Sequence, residues 1–126
     1  MVIRTGIDLI EIERIEAALN RYGNRFLQRI FTQREIEDAR NKPESLAARF
    51  AAKEAVSKAL GCGIGEVGWL DIEIVSDDHR QPYLILHNRA LQLSQAQNLF
   101  NWSISLSHSI AIAAAVAVAI GEENPR

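Results

Sequence analysis

The chain has 126 residues, enough for one domain that buries about two-thirds of its unfolded surface, and no stretch reads as a linker, so residues 1–126 are expected to fold as a unit. A formal net charge of −2 excludes general nucleic-acid binding, although Arg21, Arg25, Arg29 and Arg34 form a local basic patch with no acidic residue between Ala17 and Arg34. Cys62 is the single cysteine, so no internal disulfide can form, and a cysteine–histidine zinc site has too few ligands beside His79, His87 and His108. Arg4 and Asp8 interrupt the apolar core that an export signal requires, and the most apolar run, Ile110 to Ile120, is far shorter than the roughly 20 residues of a membrane helix. A cytoplasmic protein without a membrane segment is expected.

Residues 2–9 read as a strand that carries Asp8 at its end. Ile12, Ile15, Leu19 and Tyr22 then recur at helical spacing until Gly23. After a short segment at 25–31, Thr32 and Glu35 have the form of a capping box that opens a helix to about Asn41. Pro43 starts a long alanine-rich helix that Gly61 stops. Glycines 61, 63, 65 and 68 follow a helix rather than a strand, so they supply turns and not a dinucleotide or phosphate loop. Leu70, Ile72 and Ile74 alternate with polar residues, and Asp77 to Pro82 turns the chain into a second strand at 83–86, which describes a hairpin. A helix from about Asn88 to Asn98 leads to a strand at 101–107. In the last segment every odd position from 111 to 119 is alanine, whereas Ile110, Ile112, Val116, Val118 and Ile120 are even, a sorting that only a strand produces. Its alanine face suits either the alanine-rich helix or another subunit. The order strand, helices, strand, strand, helix, strand, strand describes an α+β fold with a mainly antiparallel sheet.

Three motifs carry chemistry. In the segment from Arg49 to Gly61, Glu54 and Lys58 stand four apart and share a helix face with Phe50; alone they would be an exposed ion pair worth about 0.2–0.5 kcal/mol. Near the start stands Thr5-Gly6-Ile7-Asp8-Leu9-Ile10-Glu11, where Asp8 alone would be a helix cap. Near the finish stands Trp102-Ser103-Ile104-Ser105-Leu106-Ser107-His108, which puts His108 either in a cleft or in the core as a satisfied histidine. In this order and spacing, over almost the whole chain, they resemble the holo-acyl-carrier-protein synthases, the small group of 4'-phosphopantetheinyl transferases.

The resemblance implies transfer of the 4'-phosphopantetheine arm of coenzyme A to a serine of apo-acyl-carrier protein, with release of adenosine 3',5'-bisphosphate, in fatty acid biosynthesis. It implies that Asp8 and Glu54 hold Mg2+, that Lys58 meets a phosphate, and that Arg49, Pro82 and His108 line the coenzyme A cleft. The acceptor of the serine proton stays open. It also implies a homotrimer with sites at the subunit boundaries. The chain departs from the family in having Arg80-Gln81 before Pro82, where a glycine is usual. Arg14, Arg21 and Arg25 fall at seven- and four-residue steps, and on a continuous helix they would present one side to an acidic carrier protein, with Gly23 placed to interrupt it. Two other classes use some of these residues: a magnesium-dependent nucleotide or coenzyme A pyrophosphate hydrolase, and a non-catalytic oligomer that binds an acidic partner.

Overall fold

The computed structural model describes residues 1–123, so residues 124–126, which the sequence reading includes in the same domain, lie outside the described residues. The chain runs β1 (Val2–Glu11), α1 (Ile12–Tyr22), α2 (Asn24–Ile30), α3 (Gln33–Ala39), α4 (Pro43–Ala59), a 3-10 turn at Trp69–Asp71, β2 (Ile72–Ser76), β3 (Pro82–Leu86), α5 (Asn88–Ala96), β4 (Leu99–His108) and β5 (Ile112–Gly121). The expected order holds. The strands make two antiparallel sheets rather than one: a three-stranded sheet ordered β1-β5-β4 and the β2-β3 hairpin.

Small side chains set the central packing. Ala113, Ala115, Ala117 and Ala119 of β5 are buried, and they meet α4 through its own buried Ala51, Ala52, Ala55 and Ala59. Gly6 takes this to its limit, because a Cβ there would lie 1.8 Å from the Ala55 carbonyl oxygen. β1 therefore lies directly against the backbone of α4. The bulky face of β5 points the other way. In register, Ile3 stands opposite Ile120 and Ile7 opposite Val116, and these four, with Leu9 and Ile112, make an exposed apolar face on the sheet.

Three local expectations are corrected. Asp8 is not at the strand end, because β1 continues to Glu11, held by pairing with Ile112. Gly23, at φ 56°, ends α1 and starts α2, so Arg25 is not in line with Arg14 and Arg21 on one helix. Tyr22 is exposed rather than packed inward, with the Arg21 guanidinium over its ring at 5.3 Å.

The capping box forms as expected, with Glu35 Nα–H donating to Thr32 Oγ1 and Thr32 Nα–H to Glu35 Oε1. Glu35 does more. It is fully buried, accepts from Lys53 Nζ at 2.8 Å and from Ile74 N at 2.9 Å, and Lys53 also donates to the Trp69 and Ile72 carbonyls. This satisfied ion pair joins α3, α4 and β2. Burial pulls the Lys53 pKa down and Glu35 opposes that pull. Lys53 is thus committed to the interior.

Candidate active site

The first cluster sits where β1 crosses α4. Because Gly6 lets the strand touch the helix, Asp8 comes beside the face that carries Glu54 and Lys58. Lys58 Nζ donates to the Ile7 carbonyl at 2.8 Å and to Asp8 Oδ1 at 3.2 Å, so it pairs with Asp8 across elements and is not the simple helix partner of Glu54. Glu54 is half-buried. Burial raises its pKa, the negative charge of Asp8 raises it further, and Lys58 offsets part of this. Two carboxylates that repel each other, with oxygen donors and one mobile ammonium nearby, fit a hard divalent cation. Among the described residues no group of three or more His, Cys, Asp or Glu is arranged for a metal, so water or substrate oxygens would fill the remaining positions.

The second cluster lines a cleft of about 760 Å³ between the N-terminal half of α4, the end of β2, the start of β3 and the end of β4. Arg49 lies in its wall and is 94% buried, since its relative exposure is 6%. It donates to Ser45 Oγ at 2.6 Å and to Ser76 Oγ at 3.0 Å, and its buried Nε has no partner. Burial lowers the Arg49 pKa, while Asp38 and Glu35 oppose the shift. The Arg49 guanidinium gives the cleft wall a fixed positive charge. Pro82 and His108 line the same cleft, and His108 is exposed at the end of β4 rather than packed in the core.

Sequence reasoning passed over Ser45, Ser76, Arg40, Lys42 and Arg80 as cleft residues. Ser45 was within reach, since it stands four before Arg49 on one helix. Ser76 ends β2, and the others arrive through turns. Arg80 has φ 62° and Arg40 φ 53°, left-handed conformations that cost a non-glycine residue free energy and that collect at functional sites. At the departure noted before Pro82, Arg80 holds a backbone shape that a glycine would take without strain.

Asp8, Glu54 and Lys58 are not among the residues that line the cleft. Arg49 and Glu54 are five positions apart on α4, about 140° around the helix. The structure thus brings the expected residues together as two groups on different sides of α4. Arg14, Arg21 and Arg25 form a third, exposed set on α1 and α2.

Residues 4–118 match the family model of the 4'-phosphopantetheinyl transferase superfamily. The chain belongs to this family. A holo-[acyl-carrier-protein] synthase of Moorella thermoacetica is 50% identical over 110 residues, 85% of each chain. One of Herpetosiphon aurantiacus is 46% identical over 112 residues, 83% of this chain and 88% of that one. The structure is similar to that of Helicobacter pylori holo-[acyl-carrier-protein] synthase in complex with coenzyme A, with a TM-score of 0.85 and 38% identity over 92% of this chain and 99% of that one. The family match includes all three motif regions, from Asp8 through Glu54 to His108.

Proposed function

We infer that this chain transfers the 4'-phosphopantetheine arm of coenzyme A to a serine of an apo-acyl-carrier protein and releases adenosine 3',5'-bisphosphate. The observation that carries this is the likeness, over nearly the whole of both chains, to the H. pylori synthase whose structure holds coenzyme A. The serine oxygen attacks the phosphorus that bears the pantetheine arm. The bond from that phosphorus to the bridging oxygen breaks, and the nucleotide leaves with the electron pair. Such a step is helped most by positioning and by neutralising phosphate charge.

In this reading Asp8 and Glu54 hold Mg2+, and Lys58, on a long exposed stem, turns from Asp8 to a substrate phosphate. When bound, Mg2+ neutralises charge on the pyrophosphate oxygens. Arg49 and His108 bind the nucleotide's phosphates, and Pro82 borders the cleft. Arg14 and Arg21 on α1, and Arg25 on α2, receive an acidic surface of the carrier protein. Residues 1–123 form one domain of a cytoplasmic enzyme of fatty acid biosynthesis. Among the described residues, no helix is long and apolar enough to cross a membrane.

The same reading takes the enzyme as a homotrimer. The exposed apolar face of β1 and β5 gives three copies a surface to bury around a threefold axis. A neighbour's Asp8 and Glu54 would then complete the cleft that this chain's own carboxylates do not line.

The transferase reading is tested by following nucleotide release with coenzyme A and Mg2+. Adenosine 3',5'-bisphosphate should appear only when apo-carrier protein is present, and release without it would indicate a pyrophosphate hydrolase. Shared sites are tested by mixing Glu54→Gln with Arg49→Ala protein. Random trimers of two inactive forms should regain about a quarter of wild-type activity through intact boundary sites; no recovery would confine each site to one chain.

A further inference from the structure

The turn between β2 and β3 brings one further cation to the cleft, Arg80, two residues before Pro82 and at the place where the chain departs from its family. Four backbone and side-chain bonds hold this turn. Asp77 Oδ1 accepts from the His79 and Gln81 amides at 2.8 and 2.9 Å, the Arg80 amide donates to the Asp77 carbonyl at 3.0 Å, and the Asp77 amide donates to the Gln81 carbonyl at 2.9 Å. The turn so fixed keeps Arg80 at φ 62°, which glycine adopts freely and arginine only at a cost. Nothing within the chain offsets that cost. Arg80 is exposed, and among the described residues its guanidinium makes no hydrogen bond or ion pair, not even with Asp77 or Asp78 of the same turn.

The charge of the cleft makes this side chain matter. Apart from His108, the lining carries five carboxylates and four lysine or arginine side chains, and one of those four, Arg49, is buried and already donates to Ser45 and Ser76. An anion entering the cleft therefore meets no surplus of positive charge, and without Arg80 it would meet five carboxylates against three cations. Its binding must rest on cations placed where its own charge is concentrated. Coenzyme A has one such place. Its two bridging phosphates are diesters with a single charge each, whereas its 3'-phosphate is a monoester of about −1.5 to −2 charge with three free oxygens. A guanidinium without a partner, on a turn that is held in place, can give such a group two parallel hydrogen bonds.

We propose that Arg80 binds the 3'-phosphate of coenzyme A and sets this enzyme's discrimination against 3'-dephospho-coenzyme A, through a side chain that a glycine at this turn would not supply. The proposal rests on the coenzyme A reading of the cleft. The transfer step itself is untouched, because the 3'-monoester stays on the leaving nucleotide and takes no part in the bonds that form and break.

The test is calorimetric binding of coenzyme A and of 3'-dephospho-coenzyme A to the wild type, Arg80→Gly, Arg80→Gln and Arg80→Lys. Glycine removes both the charge and the backbone strain, whereas glutamine removes the charge and keeps the strain, so an effect common to both belongs to the guanidinium. Both variants should bind coenzyme A about 10-fold more weakly and change dephospho-coenzyme A binding by less than about 2-fold. Arg80→Lys, which keeps the charge and loses the fork of donors, should retain part of the preference. Equal losses for the two ligands, or coenzyme A binding that neither Arg80→Gly nor Arg80→Gln weakens, overturns the proposal. Coenzyme A that binds with this preference but is never transferred to apo-carrier protein would overturn the transferase reading and leave the role of Arg80 standing, whereas no binding of coenzyme A at all would overturn both.

Discussion

Replacing Gly6 by alanine tests how the fold makes the site. The new methyl would lie 1.8 Å from the Ala55 oxygen, 2.8 Å from its carbonyl carbon and 3.0 Å from the Ala59 nitrogen. All three are backbone atoms of α4, so no rotamer change can relieve the overlap. Strand and helix must part by about 1 Å or more for carbon and oxygen to reach ordinary contact. That opens the packing between the alanine faces of α4 and the sheet, and overpacking of this kind costs about 1–3 kcal/mol, more where only backbone can move. The consequence for activity is larger. Ile7 and Asp8 follow Gly6 directly and both hold Lys58, so the shift moves Asp8 relative to Glu54 and Lys58. A displacement of about 1 Å in a positioned group can cost about 100-fold in rate. Urea unfolding should give a lower midpoint for Gly6→Ala, and carrier-protein modification should show kcat reduced by about 100-fold at a urea-free concentration where the variant is still folded. A variant with wild-type midpoint and kcat would refute the claim that close contact of β1 and α4 sets the carboxylate geometry.

Arg80→Gly should relieve the left-handed strain at φ 62° and raise stability by about 1 kcal/mol in thermal or urea unfolding, while raising the KM for coenzyme A by removing a cation from the cleft. Lys53→Met should cost about 3–5 kcal/mol in urea unfolding because it leaves the Glu35 charge buried and unpaired, and the double variant Glu35→Leu, Lys53→Met should recover part of that loss. Arg14→Glu with Arg21→Glu should raise the KM for carrier protein about 10-fold or more and reduce its salt dependence, leaving the KM for coenzyme A unchanged. Glu54→Gln should lower transfer by at least about 100-fold. Because the folded protein holds the Glu54 proton to higher pH than the unfolded chain does, stability of the cation-free wild type falls as pH rises through that raised pKa. Glu54→Gln should therefore melt higher than wild type at neutral pH without Mg2+, an advantage that disappears in acid.

What the sequence revealed was mostly periodic or local. The alternation of alanine with bulky residues in β5 is a two-residue period, and the structure turns the alanines onto α4. The capping box at Thr32 and Glu35 is a contact over three residues and forms as read. Long-range satisfaction of polar groups was not readable. Lys53 stands in the same motif as Lys58, yet its partners come from Glu35 and from carbonyls at Trp69 and Ile72, positions that no spacing rule connects. The strand end after Asp8 was misjudged because pairing with β5 extends β1 through a charged residue at Glu11. The separation of Glu54 from Arg49 follows from their five-residue spacing on one helix, whereas the approach of Asp8 to Lys58 depends on the Gly6 contact with α4, between residues far apart in the chain.

The central claim is the transfer itself. Incubating the protein with coenzyme A, Mg2+ and apo-acyl-carrier protein, then measuring the intact mass of the carrier, should show the gain of one 4'-phosphopantetheine on a single serine, absent when Asp8→Asn or Glu54→Gln replaces the wild type. A carrier mass that does not change under conditions where the protein is folded and assembled would contradict it.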